Sequence, residues 1–414
     1  MKIAIVGSGI SGLGAAWLLA REHEVTVFEA NDHVGGHTHT HDIELDGARH
    51  RVDTGFIVCN PEHYPHFFRM LGELGVATQE TTMGFAVRNE RSGLEYNASS
   101  LDRLFVQRRN LLSPRFWSML RDLLRFYREA PALLERTDDG PDLGDYLLEH
   151  GYGDAFRDEH LVPMASALWS SPSAQILKFP AKYLVAFMAN HQMLVAGARK
   201  PWRVVCGGSA SYVQALLAQS GLSVRTRTPV RSIIRAPQSV RITVDAGVEE
   251  FDQVVLACHS DQALALLADP NEREREILGA IGYQPNEVVL HTDIRLLPRR
   301  RKAWAAWNAL IRDDGDDACT VTYDMNQLQG IDAPQNFCVT LNATDRIDPA
   351  RILRRLRYQH PLYTRASVAA QARRHEISGQ QRTWYAGAYW GFGFHEDGMR
   401  SGVEVARALG VHWP

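Results

Sequence analysis

The feature that most constrains this chain is its first thirty residues, which alternate a strand, a glycine-rich turn, a helix and a second strand. Lys2 to Val6 (KIAIV) is a short β-branched run typical of a buried parallel strand. GSGISG follows, with glycines at 7, 9 and 12, and LGAAWLLAR then favours a helix. A second apolar strand, Val25 to Phe28, ends at Glu29. This order of elements is the dinucleotide-binding fingerprint.

Each part of the fingerprint has a physical task. Gly7 permits the tight turn, Gly9 lets a pyrophosphate approach the backbone, and Gly12 lets the helix pack on the strand. The helix N-terminus offers unpaired N–H groups and a positive dipole end to phosphates. Glu29 can accept hydrogen bonds from ribose hydroxyls and would repel the extra phosphate of NADP. We therefore predict a dinucleotide site here.

Gly35-Gly36 lies six and seven residues after Glu29. With the fingerprint, this pair resembles the flavin-containing amine oxidase superfamily, which includes amine oxidases, protoporphyrinogen oxidases and carotenoid desaturases. A bacterial branch described as predicted NAD/FAD-binding, amine-oxidase-like proteins is closer still, and it shares GGHTH, DTGFIV, QRRNLL, HTD with PRRR, and GAYWGFGFHEDG. The resemblance covers essentially the whole chain. It implies FAD as the cofactor and says little about the substrate.

Three histidines, His37, His39 and His41, alternate in VGGHTHTHD and could face one side of an extended chain. A metal would need a fourth ligand, which the sequence does not supply nearby, so we predict no metal site. Many relatives carry an arginine after Gly-Gly that helps bind the phosphates. In this chain His37 and Thr38 occupy that place, so an imidazole, a hydroxyl or the backbone alone must bind the phosphates. His39 and His41 either lie on the polar side of the strand that leaves this loop or point toward the flavin.

The rest of the chain divides into alternating segments. DIELDGARHRV (42–52) predicts a hairpin around Asp46-Gly47, and residues 65–198 read as mainly helical. A last strand is expected at Thr383 to Ala386 and a last helix at Gly398 to Leu409. We predict an α/β fold with a Rossmann-type FAD-binding domain assembled from three segments and a mixed α+β substrate/cap domain. The FAD-binding segments are 1–64, 199–273 and 375–414, and the substrate segments are 65–198 and 274–374.

The resemblance also implies cofactor contacts outside the fingerprint. In relatives the residue matching Val230 meets the adenine, and the last helix points its N-terminus at the flavin ring. Relatives often have an acid where Ala388 stands, and Asp397 is either a helix cap or a flavin contact. The residues predicted to bind the cofactor are Gly7, Gly9, Ser11, Gly12, Glu29, Ala30, Gly35, Gly36, His37, Thr38, Thr54, Gly55, Val230, Gly387, Asp397, Gly398 and Met399.

Composition excludes several classes of partner. Forty-five basic and forty-eight acidic side chains give a formal charge of −3, which offers no argument for nucleic acid. Five scattered cysteines form no CxxC pair, so no disulfide framework is indicated and a reducing cytoplasm is expected. The N-terminal run reads as a strand and not as a secretion signal, and no segment is apolar enough to span a membrane.

Two segments favour a lipid-like substrate. Arg103 to Arg136 interleaves arginines with Leu, Phe, Trp and Met, and LPRRRKAWAAW (297–307) repeats the mixture. On helices these residues could lie on anionic lipid, so we predict a peripheral contact with the inner face of the membrane. The alternative is a solvated basic face on a cap-domain helix.

No second GxGxxG follows a strand, so electrons are expected to come from the substrate and not from a nicotinamide. The candidate catalytic residues are Tyr389, Trp390, His291 and His395. Alternatively, Tyr389 and Trp390 pack in the core, His291 is a structural histidine, and His395 is a loop residue without a catalytic role. We expect an FAD-dependent oxidoreductase that dehydrogenates a hydrophobic substrate, best a fatty-acyl chain. The alternatives are an amine oxidase releasing an aldehyde and hydrogen peroxide, and a non-catalytic lipid carrier.

Overall fold

The computed structural model describes residues 1–194, 201–315 and 318–413. Its strands are β1 (Lys2–Val6), β2 (Glu24–Phe28), β3 (Thr40–Leu45), β4 (Ala48–Asp53), β5 (Val58–Cys59), β6 (Thr78–Thr81), β7 (Phe85–Asn89), β8 (Glu95–Asn97), β9 (Trp202–Val205), β10 (Ser223–Arg225), β11 (Val230–Arg235), β12 (Val240–Val244), β13 (Gly247–Phe251), β14 (Gln253–Leu256), β15 (Tyr283–His291), β16 (Trp307–Ile311), β17 (Val321–Asp324), β18 (Cys338–Leu341), β19 (Ile352–Pro361) and β20 (Thr383–Tyr385). Its α-helices are α1 (Ile10–Leu19), α2 (Pro65–Leu74), α3 (Leu101–Leu104), α4 (Pro114–Glu129), α5 (Leu143–Glu149), α6 (Asp154–Phe156), α7 (Val162–Trp169), α8 (Ser173–Ile176), α9 (Ala181–Asn190), α10 (Ala210–Ser220), α11 (Ser260–Leu266), α12 (Glu272–Gly279), α13 (Met325–Gln329), α14 (Arg365–Ala372) and α15 (His395–Ala408).

A five-stranded parallel sheet, ordered β10-β2-β1-β14-β20, organises the nucleotide-binding half. Its strands come from the start, the middle and the end of the chain. Both faces of the sheet are covered, so its central strands are buried and read as the apolar runs that the sequence shows. The α/β class and the assembly of this domain from three segments are confirmed.

The second half is built on a seven-stranded sheet, ordered β19-β15-β18-β17-β16-β7-β8, which is antiparallel except between β16 and β7. Helices α4, α5, α7 and α9 pack around one aromatic-rich core beside it. The expectation that residues 65–198 are mainly helical is wrong for positions 78–97, where β6, β7 and β8 lie. β6 pairs with β9 and β7 with β16, which lie far along the chain, and β8 pairs with β7.

Smaller elements join the two halves. β3 and β4 form the expected hairpin, and Asp46 and Gly47 both have positive φ, as a two-residue turn requires. Helix α2 packs in the same core as α1, although the sequence boundary placed it in the substrate segment. Residues Ile277 and Leu278 of α12 pack against the nucleotide half in the same way. The boundary at 198/199 lies outside the described residues.

The last helix begins earlier than expected. It starts at His395 and not at Gly398, because Asp397 accepts a hydrogen bond from the Phe394 N–H at 3.1 Å and completes the first turn. No helix in the described ranges is long and apolar enough to cross a membrane.

Candidate functional site

The glycine turn lies at the carboxyl end of β1. Gly7 has φ +105°, and a Cβ there would lie 2.7 Å from the Ala257 carbonyl oxygen. A Cβ at Gly12 would lie 2.0 Å from the Gly7 carbonyl oxygen, so close packing of α1 on β1 requires glycine. A Cβ at Gly9 would meet nothing within 4 Å. The space in front of Gly9 is therefore open, as approach of a diphosphate requires.

Glu29 is held in position at the end of β2. Ser8 donates to its Oε2 from both N–H (3.0 Å) and Oγ (2.6 Å), and Asn31 donates to its Oε1 from both N–H and Nδ2 (2.9 Å each). Carboxylate oxygens retain further acceptor capacity, so ribose hydroxyls could still bind. Ala30 is exposed beside it, and the Thr228 N–H donates to the Glu29 carbonyl, which brings the Val230 segment alongside.

The Gly35-Gly36 pair folds back onto the glycine turn. Gly9 and Gly35 form an isolated parallel bridge, and both glycines of the pair have positive φ. The Gly35 N–H also donates to Ser8 Oγ at 3.2 Å. The chain thus recrosses the turn as the sequence resemblance implies. Gly7, Gly9 and Gly36 remain partly exposed, so solvent reaches this turn past the residues that the structure describes.

His37 and Thr38, which replace the usual arginine, point to different places. Thr38 is 1% exposed and its Oγ1 shares a 2.6 Å hydrogen bond with the Tyr212 hydroxyl. His37 Nε2 is buried and has no hydrogen-bond partner. Nε2 of His37 is therefore free to bind a ligand, whereas the hydroxyl of Thr38 is bonded in the interior.

Three further side chains surround His37 and none was anticipated from the sequence. Its ring centroid lies 5.0 Å from Tyr358, 5.5 Å from His360 and 6.5 Å from His259. Burial, then His360 and His259, lower the pKa of His37 to about 3, and burial likewise lowers the pKa of His360 to about 4. These imidazoles are neutral at pH 7 and add no charge to the crevice.

His39 and His41 continue the polar strand. The Thr54 and Phe56 N–H groups donate to the carbonyls of His39 (3.1 Å) and His37 (2.8 Å), so DTG pairs directly with HTH. A Cβ at Gly55 would lie 2.1 Å from the His37 carbonyl oxygen, so this close approach requires glycine. His39 and His41 bond the hydroxyls of Tyr358 and Thr54. Within the described ranges, no three His, Cys, Asp or Glu side chains are arranged to hold a metal ion.

Helix α15 meets α1 at its first turn. A Cβ at Gly398 would lie 2.7 Å from Ile10 Cγ2 and 2.9 Å from Ser11 Oγ, so the two helix N-termini lie side by side. Met399, which was predicted to bind the cofactor, is fully buried against Gly14, and its side chain packs in the hydrophobic core. The carboxylate of Asp397 caps its own helix and pairs with Arg400 at 2.7 Å.

The segment between β20 and α15 carries the two aromatic candidates, Tyr389 and Trp390, whose ring centroids lie 4.9 Å apart. A Cβ at Gly387 would lie 2.1 Å from the Tyr389 ring, so the ring lies against this backbone. Burial, then Tyr283 and Cys258, raise the pKa of Tyr389, and its hydroxyl is buried without a partner. Trp390 instead packs under the Arg374 guanidinium, 5.7 Å away. Tyr389 is thus buried against the Gly387 backbone, and Trp390 lines a surface depression together with Arg374.

An aromatic wall stands beside the same segment. Tyr183 donates from its hydroxyl to the Gly391 carbonyl at 2.8 Å, and Trp169 donates from Nε1 to the Phe392 carbonyl at 3.0 Å. The rings of Tyr183 and Tyr363 stack with centroids 5.1 Å apart. The wall consists of Trp169, Phe179, Tyr183, Phe187, Tyr363, Phe392 and Phe394.

Two catalytic candidates, His291 and His395, already form hydrogen bonds within the protein through their rings. His291 lies inside the seven-stranded sheet, where Nε2 shares a 2.7 Å bond with Thr340 Oγ1 and Nδ1 accepts from the Asp293 N–H. His395 opens α15, stacks on Phe56 at 3.7 Å and bonds the Tyr212 hydroxyl at 2.8 Å through Nε2. Burial lowers the pKa of each, so both imidazoles are neutral at pH 7, and a catalytic role for either one stays a prediction.

The site can accommodate an FAD-like dinucleotide on structural grounds. The open space at Gly9, the prepositioned Glu29 and the unpartnered His37 Nε2 and Tyr389 hydroxyl are what an extended polar ligand would occupy and satisfy. The adjoining N-termini of α1 and α15 would favour negative charge on it.

Comparisons with known proteins agree with this geometry. The family described as flavin containing amine oxidoreductase matches residues 10–332. The putative flavin-containing monoamine oxidase AofH of Mycobacterium tuberculosis is 27% identical over 275 residues, which are 65% of this chain and 59% of that protein. A 4,4'-diapophytoene desaturase of Staphylococcus aureus is 40% identical over 74 residues, 18% of this chain and 14% of that protein. Cyclohexylamine oxidase from Brevibacterium oxydans has the same fold, with a TM-score of 0.70 at 16% identity over 99% of this chain and 98% of that chain.

Proposed function

This chain belongs to the flavin containing amine oxidoreductases, a family of flavin-dependent oxidoreductases, and on that premise we propose that it uses FAD to dehydrogenate a hydrophobic substrate. The best candidate reaction converts a C–C bond of a fatty-acyl chain to C=C. When bound, FAD supplies a two-electron acceptor, so that one substrate hydrogen leaves as hydride and the neighbouring one as a proton.

The observation that supports the proposal is the aromatic wall packed against residues 391–394, which lead into the first turn of α15. It contains no acidic side chain, and the nearby Asp397 is already bonded to the Phe394 N–H and to Arg400. An ammonium group would gain from an unpaired carboxylate, whereas an acyl chain gains from apolar surface alone. Tyr183 and Trp169 fix the Gly391–Phe394 segment and so orient what binds against it.

Amine oxidation is the second candidate, and the match to AofH over 65% of the chain favours it.

The deciding experiment is anaerobic mixing of the purified flavoprotein with fatty-acyl lipids and, separately, with primary amines and polyamines. We expect the flavin absorbance to bleach with the lipids, and mass spectrometry to find a product lighter by two hydrogens. Bleaching by amines alone, with peroxide released after air is admitted, would establish the oxidase instead. A colourless protein that still binds acyl chains would point to a carrier.

A further inference from the structure

The most exposed apolar side chains of this protein are concentrated in one segment. Of the ten large hydrophobic residues that are strongly exposed in the described part of the chain, six lie between positions 101 and 134. Leu112 is 88% exposed, Leu101 76%, Leu124 57% and Trp117 49%. Exposed apolar groups gathered in this way mark a binding surface, whereas scattered ones do not.

Helix α4 presents arginine and apolar groups on one outward stripe. Trp117, Arg121, Leu124 and Arg128 are all exposed and follow a spacing of four, three and four residues. The opposite face carries Phe116, Met119 and Phe126 into the core. A stripe of this composition suits the boundary between lipid headgroups and acyl chains, where arginine meets phosphate and tryptophan or leucine inserts.

The second basic segment adjoins this one in space, which the sequence did not reveal. Lys302 forms an ion pair with Asp102 of α3, and the N–H groups of Arg299 and Arg300 donate to the Glu95 carboxylate of β8. A cavity of about 380 Å³ opens there. Its lining includes Arg88, Arg295, Arg299, Arg301 and Trp304.

Five arginines around this cavity and α3 have no carboxylate partner among the described residues. Arg103, Arg109, Arg299, Arg300 and Arg301 are exposed, and within the described residues no carboxylate pairs with their guanidinium groups. Asp102 is shared by Arg108 and Lys302, and Glu95 is buried under backbone N–H groups. The surface therefore offers cations without carboxylate partners near exposed leucines, and a recess lined by arginines that can bind phosphate.

We propose that these residues form one docking face for an anionic lipid bilayer. The face comprises Leu101, Arg103, Arg109, Leu111, Leu112, Trp117, Arg121, Leu124, Arg299, Arg300 and Arg301. Its arginines bind headgroup phosphates and its leucines and Trp117 enter the interface. This docking does not depend on which substrate the flavin oxidises.

The test is flotation of the purified holoprotein with vesicles of phosphatidylglycerol and phosphatidylcholine, and with vesicles of phosphatidylcholine alone. We expect binding to the mixed vesicles only, weakened by added salt. Replacing Arg299, Arg300 and Arg301 together by glutamine should weaken binding on the order of a hundredfold, since each arginine near an anionic surface contributes about fivefold. Leu101→Ser with Leu112→Ser should weaken it by about tenfold or more.

Matched controls come from other surfaces. The triple glutamine change at the exposed Arg354, Arg355 and Arg357 of β19 should leave flotation unchanged, and so should Val248→Ser, at a side chain that is 63% exposed. Absence of flotation, or equal loss in the β19 triple variant, would overturn the proposal. So would a wild-type dimer that Leu112→Ser converts to monomers without any vesicle binding, because the face would then join two copies of this chain.

Discussion

Glu274 shows at the scale of single residues how the nucleotide half is held together. Its buried carboxylate bonds both the Arg235 guanidinium and the Tyr385 hydroxyl, the latter at 2.7 Å, and accepts the Asn271 N–H at 2.9 Å. Burial raises the pKa of Glu274, but Arg235, Asn271 and Tyr385 lower it more, so that it lies below its ordinary value. The carboxylate thus ties α12 to β11 and β20.

We predict that Glu274→Gln lowers the free energy of unfolding by about 1–3 kcal/mol, because the buried Arg235 guanidinium then keeps only the partly exposed Asp269 as an ion-pair partner. The matched control is Glu276→Gln on the same helix, where the ion pair with Arg373 is exposed and little should change. Urea denaturation of both variants measures the difference. Because the folded pKa of Glu274 is depressed, its contribution is present above about pH 4.3 and is lost as pH falls through the folded value. Equal effects of the two variants would contradict this assignment.

Local sequence predicted some residues well and others not at all. Gly7, Gly12 and Glu29 act within a few residues of their own turn, so their spacing was enough. The groups that bond the rings of His291 and His395, Thr340 and Tyr212, could not be predicted because they are distant in sequence. Likewise, the local sequence around His37 did not predict that His259, Tyr358 and His360 would surround it.

At the scale of elements, the packing of α1 on α15 positions both helix N-termini at the crevice. The contact depends on small residues. A Cβ at Gly402 would lie 2.5 Å from the Ser11 carbonyl oxygen and 3.0 Å from the Ala15 nitrogen, which are backbone atoms. A Cβ at Gly14 would meet the Met399 sulfur at 2.6 Å, and that side chain can move.

Gly402→Ala should therefore separate the helices, lower the free energy of unfolding by about 1–3 kcal/mol and weaken flavin binding. Gly14→Ala, the matched change across the same contact, should cost less because Met399 can adopt another rotamer. Thermal unfolding with and without added FAD compares the two variants. A larger loss in Gly14→Ala would show that the helix backbones are not in tight contact.

Elements with strong local signals were recognised, and those defined by distant partners were not. β1, α1 and the Asp46-Gly47 hairpin follow from local pattern. β6 and β7 were missed because these short strands are stabilised by pairing with the distant β9 and β16, and β8 was missed with them because it pairs with β7. The start of α15 was placed three residues late because its capping acid, Asp397, lies inside the first turn.

At the scale of the whole molecule, buried neutral histidines set the response to acid. Burial lowers the pKa values of His160, His191 and His291 to about 4 each. In the unfolded chain each would titrate near 6.5. Between these values only the unfolded state takes up the protons, so stability falls as pH falls.

We predict that each of these three histidines reduces the free energy of unfolding by about 2 kcal/mol when pH falls from neutral to about 5. Chemical denaturation at a series of pH values gives the slope. In His291→Gln the slope should correspond to about one proton fewer. An unchanged slope in that variant would mean that His291 is protonated in the folded protein.

The three-segment nucleotide domain could be predicted because each segment carries its own strand pattern and the superfamily resemblance orders them. The exact boundary between the two halves could not be predicted, because only the folded structure shows that α2 and α12 pack in the cores of the nucleotide half. The junction of the two basic segments also needed the folded chain, because Asp102 and Lys302 are 200 positions apart.

The central claim is that the turn at Gly9 cradles the diphosphate of a flavin dinucleotide. The most direct measurement is the affinity of the purified protein for FAD in Gly9→Ala, compared with wild type and with Gly72→Ala on α2. An added methyl at either glycine meets no protein atom within 4 Å, so both variants should fold. We predict that Gly9→Ala binds FAD at least about tenfold more weakly, since the methyl occupies the space of the diphosphate, and that Gly72→Ala binds it normally. Unchanged FAD affinity in Gly9→Ala would contradict the account.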